Sequence, residues 1–141
     1  MSRISVFSKI MLFALLIALV SASFTTSNVA AKKNNRELED KWSQLVDNYN
    51  RQSINHTSAH NWVDHWMKTN NSDSDEIELQ KHMCTCNSAL SAAGAIVAKH
   101  AGFDAKGNVV DRGAAIQSIK DLSYYLAQHA GSIRNLEGHL K

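Results

Sequence analysis

Residues 79–100, LQKHMCTCNSALSAAGAIVAKH, and residues 119–140, IKDLSYYLAQHAGSIRNLEGHL, carry the reading that decides the fold. In the first, Leu79, Met83, Cys86, Leu90, Ala93, Val97 and His100 recur in alternating steps of four and three residues. In the second, Ile119, Leu122, Leu126, His129, Ile133, Leu136 and Leu140 do the same. That spacing lines one stripe of a helix, and two such stripes pack like the strands of a coiled coil. Gly102 to Gly113 joins the two segments, with Asp111 placed to cap the second and Asp73 or Ser74 the first. A hairpin centred near Gly107 sets residue 100 opposite 114, and therefore residue 85 opposite His129. Gly94, Ala98 and Gly102, with Ala127 and Gly131, are the small residues expected where the two helices approach closely.

Upstream, two more segments have helical period. Leu38, Trp42, Leu45, Val46 and Tyr49 form one face of a helix expected over 36–52, with Asn35 as its cap. Ala59, Trp62, Val63, Trp66 and Met67 form the face of a shorter helix over 58–69, capped by Thr57 or Ser58. The chain has no proline, which suits helices better than a loop-rich β domain. The expected fold is all-α: a small bundle built on a long C-terminal antiparallel helix hairpin, with the Trp42 and Trp62/Trp66 helices covering one side.

The N-terminus has a different logic. Arg3 and Lys9 flank a start without acids, residues 10–20 (IMLFALLIALV) are unbroken apolar, and small residues follow at 21–23 and 29–31. This is the order of a cleavable secretory signal. The apolar run is shorter than the roughly 20 residues of a spanning helix. Residues 1–31 are therefore read as a signal peptide, cut after Ser23 or Ala31, and 32–141 as one exported domain, secreted or periplasmic. Its removal takes Arg3 and Lys9 from the 15 basic residues, leaving 13 against 13 acidic ones. A formally neutral domain lacks the basic stripe of a nucleic-acid binder. Contact with a membrane is not expected either, because the apolar segment 89–102 has no strongly basic face beside it. Asn55 and Asn70 head glycosylation sequons, each beside an expected loop.

Two constellations could carry chemistry. Cys84 and Cys86 are two apart, so on a helix they point in nearly opposite directions and an internal disulfide would be strained. They can be free and buried, bridge two chains into a homodimer, bind a soft metal, or close a strained redox-active bridge. The hairpin register brings His129 to their level, with His82 and Met83 adjacent, and thiolate, imidazole and thioether are donors suited to zinc or copper. The second constellation is His56, His60 and Asp64, a stripe at steps of four, without the glutamate that makes a metalloprotease motif. Glycine spacing at 102–107 lacks the lysine of a phosphate loop, and residues 71–82 lack the glycine and closing glutamate of a calcium loop.

No catalytic set survives this inspection, so an enzyme is not expected. The first expectation is an interaction module for a protein partner, with Trp62 and Trp66 as candidate interface residues, although core positions explain Trp42, Trp62 and Trp66 more simply. The alternative is a zinc- or copper-binding protein of the envelope or extracellular space. The third is a membrane-active toxin.

Overall fold

The computed structural model describes residues 23–69 and 73–140. Among the described residues there are three helices: α1 (Ser23–Thr69), α2 (Asp73–Lys99) and α3 (Arg112–Leu140). The all-α bundle built on a C-terminal hairpin is as the stripes imply, with α2 and α3 the most closely packed pair. Leu79, Met83, Cys86 and Ala93 on α2 and Ile119, Leu122, Leu126, His129, Ile133 and Leu136 on α3 are buried. Residues 1–22, the greater part of the expected signal peptide, lie outside the described residues, as does Asn70. None of the described helices is long and apolar enough to cross a membrane.

The connection from α2 to α3 is tightly specified. α2 ends at His100, whose φ of 37° lies in the left-handed region and whose Nδ1 lies 2.8 Å from the Phe103 carbonyl oxygen. Gly102 (φ 91°) turns the chain, and its carbonyl accepts from the amides of Val110 and Asp111. A Cβ there would stand 2.1 Å from the Ala115 nitrogen, so no other residue fits. The Asp104 carboxylate accepts from the amides of Lys106 and Asn108, which holds its pKa below the usual value. Asp111 caps α3 as expected, its side chain accepting from the Ala114 amide at 3.1 Å. The two glycines that resemble phosphate-loop spacing are therefore turn residues, both with positive φ.

The main correction concerns α1. Two helices were expected upstream of α2, whereas one runs unbroken through residues 53–57. Asn35, Thr57 and Ser58 are not caps but interior residues, and the hydroxyls of Thr57 and Ser58 donate back to the carbonyls of Ser53 and Ile54. Asn55 accordingly sits mid-helix rather than beside a loop. The reason lies in the seam. Trp42, Leu45, Tyr49, Gln52, His56, Ala59, Val63 and Trp66 alternate steps of three and four without interruption. Two polar residues in that series look like the end of one apolar face and the start of another.

These polar positions divide the core. Above them, Trp42, Ala93, Phe103, Ala115, Ile119, Leu122 and Leu126 form one buried cluster. Trp42 stacks on Phe103, ring centroids 4.6 Å apart and 14° from parallel, which ties α1 to the connecting loop. Below them, Val63, Leu79, Met83, Cys86, Ile133 and Leu136 form a second cluster, with Ala59, Trp66 and Met67 packed against it. Gly94 serves α1 rather than the hairpin, since a Cβ on it would stand 2.8 Å from the Tyr49 hydroxyl. Ala127 is exposed and Gly131 faces Arg134 of its own helix, so that pair does not mediate close approach. Trp62, expected in the apolar stripe, is 65% exposed. It occupies the step next to Val63, and Val63 takes the inward position.

Candidate metal centre

Between the two apolar clusters lies a layer of polar side chains contributed by all three helices. α2 supplies Cys86, which has no exposed surface. α3 supplies His129, also fully buried, and Ser132, 6% exposed. α1 supplies Gln52, 9% exposed, and His56, which is half-buried. One imidazole nitrogen of His56, one of His129 and the Cys86 Sγ all lie within 4.8 Å of one another.

Hydrogen bonds orient this layer from the outside inward. The Gln52 amide donates to Asn48 Oδ1 at 3.2 Å, which turns its Oε1 toward α3. Oε1 lies 2.7 Å from His129 Nδ1, so Nδ1 carries the proton and donates. His129 Nε2 is thereby left with its lone pair, 3.0 Å from His56 Nδ1. A metal-binding histidine is commonly held in this way, with one nitrogen fixed by a hydrogen bond and the other presented to the ion. The His129–His56–His60 series of rings continues outward, with centroid separations of 5.2 and 6.4 Å.

Burial governs protonation here. Desolvation, with a smaller contribution from the neighbouring His56, lowers the His129 pKa to about 4. His56 is also lowered, chiefly by burial; a hydrogen bond to Asn87, which favours the protonated ring, opposes that shift and His60 adds to it. Burial raises the Cys86 thiol to about 11, against a smaller opposite effect from Ser132. Neutral imidazoles are the ligand form of histidine: His129 Nε2 offers its lone pair at neutral pH, while His56 Nδ1, which donates to it, must give up its proton by a change of tautomer to bind an ion. The thiol must lose its proton to a competing ion.

The residues fit a transition metal. Tetrahedral ligands on bonds of about 2.0–2.3 Å stand about 3.3–3.6 Å apart. The nitrogen pair at 3.0 Å and the outer limit of 4.8 Å bracket that spacing. Two imidazoles and one thiolate are donors that zinc and copper share.

The structure rearranges the two sequence constellations. Cys86 and His129 come together as the hairpin register implies, but Cys84 is exposed, and both cysteines are free thiols. The third donor in the cluster is His56, taken from the other constellation. Its expected companions, His60 and Asp64, pair with each other at 3.4 Å on the exposed face of α1 and do not join the cluster. His82 also lies elsewhere, beside Glu78 and His139. Gln52 and Ser132 escaped the sequence reading, though Gln52 had a signal: it sits three residues after Tyr49 and four before His56. Of the candidate interface residues, Trp62 is exposed, whereas Trp66 packs against the lower cluster. No protein-family model, curated protein or solved structure matches the chain.

Proposed function

We propose that this protein is a transition-metal-binding protein that works after export, holding zinc or copper through Cys86, His129 and His56. The observation that carries the reading is the convergence of these three donors from three different helices, with His129 fixed in its ligand tautomer by Gln52. A simple core histidine would need only its hydrogen-bond partners. Here a thiol that is fully buried lies within reach of two imidazoles that stay neutral at ordinary pH. The N-terminal signal pattern supports an envelope or extracellular setting.

The test is titration with cobalt(II), whose bond to a thiolate absorbs in the near ultraviolet and visible. Wild type and Cys84→Ser should develop that absorption, and Cys86→Ser and His129→Gln should not. Absence of the band in folded wild type, or its loss in Cys84→Ser alone, would sink the proposal.

A second reading, a module for a protein partner, is favoured by the exposure of Trp62 together with Ile54 at 68% and Ile77 at 64%. Large apolar side chains of this kind are interface anchors in many complexes. Its test is whether Trp62→Ala loses a partner recovered by cross-linking in the native compartment.

A further inference from the structure

The far end of the α2–α3 pair holds another group of donors. Glu78 and His82 are one turn apart on α2, with His82 Nε2 and Glu78 Oε2 at 3.9 Å. His139, in the last turn of α3, brings its ring centroid to 5.3 Å from that of His82. One nitrogen from each histidine and one oxygen from Glu78 lie within 4.8 Å of one another. His82 and His139 line an open cavity of about 390 Å³, which Arg134, Asn135 and Gly138 complete.

We infer that Glu78, His82 and His139 form a second, solvent-facing site for a divalent transition metal, independent of Cys86, His129 and His56. Two imidazoles and a carboxylate are the ligand set that holds zinc in a number of hydrolytic enzymes, with a fourth position left to water. This set has no thiolate, so it takes zinc(II), cobalt(II), nickel(II) or copper(II) rather than copper(I). The carboxylate supplies the negative charge and the cavity leaves room for water on the ion. Glu78 is half-exposed, so an ion can exchange with solvent here, unlike one held beside the fully buried Cys86. Among the described residues Arg134 is the cation on the cavity wall, and it reaches back along α3: its Nη2 lies 3.8 Å from where a Cβ on Gly131 would stand. His139 stands in the last turn of α3, so a bound ion would fasten that turn to α2.

The experiment is zinc(II) binding at neutral pH, read by native mass and calorimetry on the full exported chain. Cys86→Ser removes the thiolate of the inner site and so isolates the outer one. That variant should bind one zinc ion, and adding His139→Gln or His82→Gln should weaken it by more than about 100-fold, since even second-shell changes cost 10- to 100-fold. His65→Gln, on the exposed face of α1, should leave it unchanged. Cys86→Ser that binds no zinc, or binds it equally well without His82 and His139, overturns the inference. The inner site stands or falls separately, on the thiolate-to-cobalt band of the protein with His139 replaced.

Discussion

Cys84 and Cys86 differ by two residues in sequence and by everything that governs a thiol in the fold. Cys84 is exposed, while Cys86 is fully buried with its pKa pushed up to about 11. In metal-free protein, iodoacetamide at mildly alkaline pH should label Cys84 and spare Cys86 until denaturant is added, which peptide mass mapping reads directly. Equal labelling of both in the folded state would contradict the burial. His129 makes the second prediction at this scale. Its ordinary value of 6.5 falls to about 4 in the fold. Between those limits the unfolded chain binds a proton that the folded core refuses. Stability is therefore complete above pH 6.5 and is lost as pH falls from 6.5 toward 4, by at most about 3 kcal/mol. Denaturant midpoints in chelator should show this decline, and His129→Gln should flatten it between pH 6.5 and 5.

For the elements, the decisive fact is that α1 does not break at residues 53–57. Asn55 is exposed there, so replacing it removes no packing. Asn55→Pro should nevertheless cost about 3 kcal/mol, the usual penalty of proline inside a helix. A loop at that position would tolerate the change nearly unharmed, so thermal or urea unfolding of the variant separates the two arrangements. In the α2–α3 connection, Gly102→Ala should destabilise by at least about 2 kcal/mol, because positive φ and a collision with Ala115 act together. These two elements also differ in how readable they were. Asp111 is a cap by residue type and position, and it caps α3. Thr57 and Ser58 have the same chemistry, yet the apolar contacts of Ala59 and Val63 on one side and Tyr49 on the other carry the helix straight through them.

For the whole molecule, the polar layer couples α1 to the hairpin. Among the described residues, His56 is the donor that α1 contributes to this cluster, so an ion held there as proposed would fasten α1 to α2 and α3 at once. Zinc at 100 times its dissociation constant should stabilise the fold by about 2.7 kcal/mol. The gain should appear as a rise of several degrees in Tm and as slower hydrogen exchange of the amides on α1 around residues 48–63. In Cys86→Ser the extra protection on α1 should be lost, while the part of the Tm rise owed to zinc at Glu78, His82 and His139 should remain. If the rise comes without extra protection on α1, His56 is not a ligand.

The hairpin, its register and the level at which Cys86 meets His129 are legible in the sequence. Those follow from period, turn chemistry and antiparallel geometry, all of which are local or nearly so. Residues two apart on a helix cannot share a face, yet both Cys84 and Cys86 are candidate ligands until the fold places Cys84 at the surface. That His56 leaves His60 and Asp64 to complete the buried cluster, and that Gln52 orients His129, comes from the packing of three helices together. A polar residue on a helix seam reads as a break when the partner that satisfies it is 73 or 77 positions away. Burial of such groups is favourable only once three helices have met and paired them. The local pattern of α1 carries no trace of that condition, whereas the apolar stripes of α2 and α3 need only each other.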